Sequence, residues 1–169
     1  DYNGVQYLYY QSHKDFLKYD DYKSFVEFTD EYNLSYDKSN KNPPSEIYQR
    51  FAKIIFNGEP NSFFKTKKNL EFEIINQNNP YENHLSEIQI LLKNKPFINK
   101  KFVVFFKNEN VFERKIYQTD LNGFAKIESL KKGLYLISAV DLEKLNLIEK
   151  IKYKADYYSR WASLTFRKN

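Results

Sequence analysis

The sequence predicts a mainly β fold: an antiparallel β-sandwich preceded by a small α/β lobe that carries one helix. Short apolar runs with the length and alternation of strands recur along most of the chain. Gly, Pro, Asn and Asp separate these runs at short intervals, which is typical of a sandwich and not of a βαβ fold. One early stretch has the three- and four-residue apolar spacing of an amphipathic helix.

The first part of the chain, residues 1–67, is predicted to form the small lobe. Val5–Tyr10 is rich in β-favouring residues and is predicted as a strand. Apolar side chains then recur at helical spacing, so we predict a helix over residues 20–32. Asp20 and Asp21 lie at its start, where acidic side chains interact favourably with the helix dipole. The lobe therefore begins as a strand followed by a helix.

A loop and one ambiguous segment complete the small lobe. Residues 38–44 are polar and end in two prolines, which indicates a loop. The next segment, residues 46–56, fits a helix with Ser45 as its N-cap. Its alternation also fits a strand with a mixed face. The spacing alone leaves both alternatives open.

Residues 68–169 are predicted to form the sandwich domain. A turn at residues 119–123 combines Asp and Asn, which hydrogen-bond their own backbone, with a Gly that accepts positive φ. The run at 134–140 is nearly continuously apolar, as in a strand buried on both faces. Residues 142–154 are charged and only weakly helical. The predicted strands are Leu70–Ile75, Glu87–Leu92, Phe102–Phe106, Phe112–Thr119, Phe124–Glu128, Leu134–Val140 and Ser159–Phe166.

Composition restricts the chemistry of the chain. Its 169 residues include 27 basic and 22 acidic side chains, a net charge of +5, and no cysteine, so disulfides and thiolate metal sites are excluded. The lysines are scattered and do not alternate with aromatic residues in one segment, so we predict no nucleic-acid binding. No apolar run is long enough for a transmembrane helix. Aromatic residues make up 18%, which we attribute to a general enrichment that includes Asn, Lys and Ile.

The sequence contains no recognisable catalytic constellation. A serine nucleophile would need a histidine base, and the adjacent Ser12 and His13 do not place one side chain on the proton of the other. A G-x-S-x-G turn, a phosphate-binding glycine loop and a paired-carboxylate pattern are all lacking. We therefore predict that the chain is not an enzyme.

Two sets of motifs resemble known families. Leu85–Val140 resembles the transthyretin-like or carboxypeptidase-regulatory-like β-sandwich of the immunoglobulin-like class. It shares a K-x-P turn, a TD-x-NG turn and a G-x-Y strand start, here Lys95–Phe97, Thr119–Gly123 and Gly133–Tyr135. From about Tyr7 to Phe166 the chain is similar to a bacterial periplasmic family of unknown function that is associated with nickel and cobalt uptake. The motifs behind this second resemblance are a helix at Phe25–Leu34, Tyr48-x-Arg50-x-x-Lys53, Leu70–Ile74, Asn79–Pro80 and Trp161–Phe166.

The second resemblance implies a periplasmic or secreted, two-lobed β protein that takes part in nickel or cobalt transport. The expected role is that of a non-enzymatic accessory or binding protein that hands the ion to a membrane transporter. The resemblance also favours a strand for residues 46–56. Family members usually begin with a signal peptide and an N-terminal β-lobe that opens with a His-aromatic segment. This chain has neither, so we expect metal ligands near that N-terminus to lie outside the sequence.

The metal candidates are the two histidines of the chain. Imidazole is a preferred ligand of Ni²⁺ and Co²⁺, and a site needs several nitrogen or carboxylate ligands. His84 has Glu82 two residues before it and Glu87 three after it, in a polar loop. His13 lies near several aspartates, including Asp15. Neither has a recognised ligand spacing, so a surface histidine is the alternative interpretation for both.

Arg160 and Trp161 are candidates for binding a partner, because Trp and Arg dominate interface hot spots. A core Trp stacked under the Arg stem is the alternative. Tyr48, Arg50 and Lys53 are predicted to form a structural network that joins the two lobes. A second functional hypothesis is an extracellular interaction module that binds a protein or glycan. Exposed aromatic side chains in one patch, without converging His and carboxylate groups, would favour it.

Overall fold

The computed structural model describes residues 6–39, 41–56, 70–81, 84–128 and 130–168. Within these residues strands alternate with turns, and two short helices interrupt them. The elements in chain order are β1 (Gln6–Gln11), β2 (Asp15–Lys18), α1 (Tyr22–Tyr32), β3 (Ser45–Phe56), β4 (Phe72–Asn76), β5 (Ser86–Leu92), β6 (Lys95–Pro96), β7 (Lys101–Lys107), β8 (Phe112–Gln118), β9 (Phe124–Ile127), β10 (Gly133–Lys144), α2 (Leu147–Tyr153) and β11 (Tyr157–Lys168).

The strands form two sheets, and the predicted mainly β sandwich is confirmed. The large sheet has the order β1-β3-β11-β10-β7-β8, with β2 also paired to β3. In the small sheet β5 pairs with β4, β6 and β9. One pairing differs from the antiparallel expectation: β3 runs parallel to β11 in the middle of the large sheet. Residues 46–56, which the spacing left undecided, are part of a strand.

Strands from both predicted domains share the large sheet. The first three strands come from the predicted small lobe, and β7, β8, β10 and β11 come from the predicted sandwich domain. The proposed boundary between residues 67 and 68 lies in the stretch 57–69, outside the described residues. In the described part of the chain, the two predicted units therefore contribute to one sheet.

Helix α1 begins two residues later than predicted because Asp21 is its N-cap. The Asp21 carboxylate accepts a hydrogen bond from the Ser24 backbone N–H at 2.8 Å, which satisfies a free donor of the first turn. The helix ends at Tyr32, and the next residue, Asn33, caps it in the left-handed conformation with φ of 53°. No helix in the described part of the chain is long and apolar enough to cross a membrane.

The turn predicted at residues 119–123 fixes β9 against β5. The Asp120 carboxylate accepts hydrogen bonds from the backbone N–H groups of Asn122 and Phe124, both at 2.8 Å. Gly123 has a φ of 74°, and a Cβ built there would lie 2.7 Å from the Ile90 carbonyl oxygen. Only glycine fits this close approach without displacing the backbone.

The main core lies between the two sheets. Alternate side chains of the large sheet face it, among them Phe51, Phe102 and Leu164, and the small sheet contributes residues such as Phe72 and Ile88. On the outer side of the large sheet, α1 covers a second, smaller cluster. That cluster comprises Tyr32, Val103 and Val140, with Phe28, Leu34, Phe105 and Trp161 packed against it.

Strand β10 differs from the prediction of burial on both faces. Ile137 and Ala139 face the core and are buried, but Leu134 is 37% exposed and Leu136 is half-buried. Among the described residues, α1 covers the outer face of the large sheet at one end, and Leu134 at the other end of β10 is exposed. The continuous apolar run thus reflects one core face and one uncovered apolar face.

Candidate functional site

The first metal candidate, His13, is exposed in the turn between β1 and β2. Two of the carboxylates near it in sequence have structural roles. Asp15 accepts hydrogen bonds from the Phe16 backbone N–H at 2.8 Å and from the Tyr48 hydroxyl at 3.0 Å, and Asp21 caps α1. These contacts hold the pKa of the Asp15 carboxyl below its usual range. His13 is therefore an exposed imidazole, and the nearby carboxylates of Asp15 and Asp21 are already hydrogen-bonded.

The second candidate, His84, is exposed just before β5 in the small sheet. Its carbonyl accepts a hydrogen bond from the Leu130 backbone N–H at 2.8 Å, and its Nδ1 lies 3.4 Å from the Leu130 carbonyl oxygen. Glu87 forms an ion pair with Lys126 at 3.0 Å. Glu82 lies outside the described residues. Within the part of the chain that the structure describes, no three His, Asp or Glu side chains converge as metal ligands.

Arg160 lies at the centre of a buried ion-pair cluster. Its side chain is 4% exposed, and each of its three nitrogens contacts a different carboxylate: Nε lies 2.7 Å from Glu71, Nη1 lies 2.9 Å from Asp141 and Nη2 lies 2.8 Å from Glu143. The Tyr158 ring lies 3.9 Å from the guanidinium carbon. Three segments of the chain meet at this group, because Glu71 precedes β4, Asp141 and Glu143 lie on β10, and Arg160 and Tyr158 lie on β11.

The electrostatics of the Arg160 cluster keep it charged. Burial disfavours the guanidinium ion, but the hydrogen bonds to Glu143 and Glu71 outweigh burial and raise the pKa of Arg160. Burial raises the pKa of Asp141 although Arg160 favours its ionised form. A polar cleft of about 160 Å³ opens beside the cluster. The three paired carboxylates make Arg160 a junction between the sheets rather than a free anion-binding group.

Trp161 points away from Arg160, because successive residues of a strand face opposite sides of the sheet. Its ring stacks on Phe28 of α1 with 5.4 Å between centroids and 17° between planes, and Tyr32 packs edge-on at 6.0 Å. The two residues therefore do not form the exposed pair considered from the sequence, nor does Trp161 stack under the Arg160 stem. Ligand binding by either residue stays a prediction.

A buried carboxyl on the outer face was not identified from the sequence. Glu46 is 1% exposed; it accepts hydrogen bonds from the Ser159 hydroxyl at 2.9 Å and from the Tyr19 hydroxyl at 3.4 Å. The Trp161 indole N–H donates in turn to the Ser159 oxygen at 3.1 Å. Burial raises the pKa of Glu46 to about 7, although both hydrogen bonds favour the ionised form. Burial also raises the pKa of Tyr19.

Of the three residues predicted to join the lobes, Lys53 links the two sheets. Its ammonium lies 2.5 Å from the Glu73 carboxylate of β4, and both side chains are 1% exposed. Tyr48 and Arg50 lie on the opposite face of β3, where the Arg50 guanidinium lies 5.5 Å from the Tyr48 ring centroid. The predicted network is thus divided between the core and the surface.

The uncovered part of the outer face of the large sheet is an apolar surface, which we call the open face. Exposed side chains on it include Leu8, Tyr10, Ile54, Phe56, Leu134 and Phe112, each between 37% and 67% exposed. One row crosses five neighbouring strands in register: Leu8, Ile54, Thr165, Leu136 and Phe105. These residues come from both ends of the sequence, so only the folded sheet brings them together.

The open face is bounded by cations at the ends of β7 and β11. Leu134 is paired in register with Lys107 on one side and Arg167 on the other. Phe112 stacks on Phe105 with 6.1 Å between centroids, and an apolar groove of about 280 Å³ lies beside them. Lys107 and Arg167 form no ion pair within the described residues. The face therefore combines apolar rows with a positively charged margin.

Comparison with curated proteins and with solved structures finds no match to this chain. Comparison with family models finds one, over residues 5–142. The match includes β1 through most of β10, and therefore much of the open face and the whole small sheet. The chain accordingly belongs to the family described as Domain of unknown function (DUF4198).

Proposed function

We propose that this chain is a non-enzymatic interaction module that binds a protein partner through the open face. The observation that supports this most strongly is the contiguous apolar surface across the large sheet, which neither α1 nor the small sheet covers. Large apolar patches of this kind are uncommon on monomeric proteins and mark interaction sites. No converging metal ligands accompany it within the described residues.

The composition of the open face favours a protein over a glycan. Its exposed residues are aliphatic and aromatic in about equal number, and the groove beside Phe112 is almost entirely apolar. A glycan site would need polar groups that converge on sugar hydroxyls. The cations Lys107 and Arg167 suit a partner with acidic residues around an apolar centre, because such charges increase the rate and specificity of association.

The test places a photo-crosslinking amino acid at one position at a time in the full chain. We expect a discrete crosslinked species in an envelope extract of the source cells when the group replaces Ile54 or Phe112. The matched control replaces Lys126, which is exposed on the small sheet, and should give none. Leu134→Lys should abolish the crosslink from Ile54 and leave the thermal unfolding midpoint unchanged. Equal yields from all three positions would contradict the proposal.

A role in nickel or cobalt uptake is the second candidate function. It is supported by the resemblance of the sequence motifs to a family associated with nickel and cobalt uptake and by the exposed imidazole of His84. The described residues alone do not provide a ligand set, so this function requires Glu82 or ligands outside the sequence. In this proposal the protein is periplasmic or secreted and transfers the ion to a membrane transporter.

Calorimetric titration of the chelator-treated chain with Ni²⁺ and Co²⁺ tests the metal role. Stoichiometric binding at micromolar or lower concentration is expected, and His84→Ala should abolish it. His13→Ala is the matched control and should bind as the wild type does. A chain that binds neither ion, or a His84→Ala variant with unchanged affinity, would contradict metal capture at this site.

A further inference from the structure

The short helix α2 presents three apolar side chains to solvent. Leu147, Ile148 and Ile151 are 74%, 79% and 72% exposed, more than any other large hydrophobic residue that the structure describes. No residue of α2 is buried. We call these three residues the α2 tip. The three side chains lie together on one short helix, and the open face lies on a different part of the fold.

Local interactions, not core packing, hold α2 in place. Asn146 and Glu149 form a reciprocal capping box: the Glu149 N–H donates to the Asn146 side chain at 3.0 Å, and the Asn146 N–H donates to Glu149 at 3.1 Å. Lys154 ends the helix with a φ of 53°. Tyr153 alone packs on a small cluster below. The connection between β10 and β11 is therefore ordered while its apolar residues point outward.

Two lysines lie beside the α2 tip, because Lys152 follows Ile148 by four residues and Lys154 follows Ile151 by three. The acids of this segment are engaged. Lys152 lies 5.0 Å and Lys14 lies 5.1 Å from the centroid of the Tyr153 ring. Glu149 is used in the capping box, and Asp156 pairs with Lys150 at 3.1 Å. Lys14, Lys152 and Lys154 form no ion pair within the described residues. Apolar side chains next to lysines that form no ion pair are a combination found in helices at membrane interfaces.

We propose that the α2 tip docks the protein onto an anionic lipid bilayer. Leu147, Ile148 and Ile151 would enter the boundary between headgroups and acyl chains, and the lysines would contact the anionic headgroups. A bilayer suits this tip better than a protein does. A seven-residue helix provides too little area for a specific protein interface, whereas a bilayer requires no complementary shape.

Co-sedimentation of the full chain with lipid vesicles tests this proposal. We expect binding to phosphatidylcholine vesicles that contain phosphatidylglycerol, and weaker binding to pure phosphatidylcholine. Added salt should weaken binding to the vesicles that contain phosphatidylglycerol, because salt screens the attraction between lysines and anionic headgroups. Ile148→Ser should lower the partition coefficient by about tenfold, because one apolar side chain no longer leaves water. Lys152→Glu combined with Lys154→Glu should lower it by a similar factor on the anionic vesicles.

Leu121→Ser is the matched control, since Leu121 is 70% exposed in the turn before β9. It should bind vesicles as the wild type does. Because all these side chains are exposed, every variant should keep the thermal unfolding midpoint of the wild type. Absence of wild-type binding to anionic vesicles, or an equal loss in Leu121→Ser and Ile148→Ser, would overturn the proposal. If Ile54→Ser loses vesicle binding and Ile148→Ser does not, lipid binding belongs to the open face instead, and the proposal is wrong.

Discussion

Glu73→Gln is expected to lower the free energy of unfolding by about 3–5 kcal/mol, the range measured when one partner of a buried ion pair is removed. The substitution keeps the size of the side chain but removes the carboxylate charge 2.5 Å from the Lys53 ammonium. Both groups lie between the sheets, where water cannot solvate the remaining charge. Denaturant unfolding of the variant and the wild type measures the difference.

The control is Lys126→Met, which breaks the ion pair to Glu87 on the surface of the small sheet. Its ammonium is 64% exposed, so we expect a loss within about 1 kcal/mol. The double variant Lys53→Met with Glu73→Leu should recover most of the loss of the single variant, because it removes both charges while keeping apolar volume. If Glu73→Gln unfolds no more easily than Lys126→Met, this ion pair does not stabilise the sandwich.

Glu46→Gln is expected to remove a strong pH dependence of stability. Burial raises the pKa of Glu46 from 4.5 to about 7, so the folded chain holds a proton that the unfolded chain releases between these values. The free energy of unfolding is therefore greatest below the unfolded pKa and falls as pH rises to about 7. A shift of this size corresponds to about 3 kcal/mol. The side-chain amide of glutamine stays neutral, so its contribution to the free energy of unfolding does not change with pH.

Measuring the difference in unfolding free energy between Glu46→Gln and the wild type isolates this group from the other carboxyls. The difference should be small near pH 4.5, and the variant should be more stable by about 3 kcal/mol at pH 8. Glu128→Gln, at an exposed position, serves as the control and should show no such trend. Trp161 fluorescence should change over the same range in the wild type, because its indole hydrogen-bonds to Ser159. If the difference in unfolding free energy between Glu46→Gln and the wild type is the same at all pH values, the pKa of Glu46 is not raised.

The strands were predictable from the sequence because their alternation and turns are local signals. Asp120 and Gly123 mark a turn by their own backbone preferences, and the structure places the turn there. The spacing of apolar residues left residues 46–56 undecided, since both the helical period and the strand period fit them. The parallel neighbour β11 determines the outcome, and no local pattern reports on it. Which face of a strand is covered is equally non-local, and the burial of Leu134 was overestimated for this reason.

The sites were harder to predict because their members come from distant segments. Arg160 could be named from the sequence, but its partners lie in two other places along the chain, Glu71 before β4 and Asp141 with Glu143 on β10. Glu46 reads as an ordinary acid at the start of a strand, and it is buried because Tyr19 and its neighbours cover it. The one sequence signal for the burial of Glu46 was its position just before the apolar residues of β3. The open face likewise arises from sheet order, which composition does not reveal.

The parallel pairing of β3 with β11 has a consequence for how the chain reaches its native state. The hydrogen-bonded residues Glu46 and Ser159 are 113 positions apart, so this contact has a very high contact order. During synthesis β3 emerges long before its central neighbour exists, with Phe51 and Lys53 not yet enclosed. Such a chain folds slowly, and its aggregation-prone strand edges stay exposed until β11 has paired with β3. Completion of β11 is therefore the step that commits this protein to its fold.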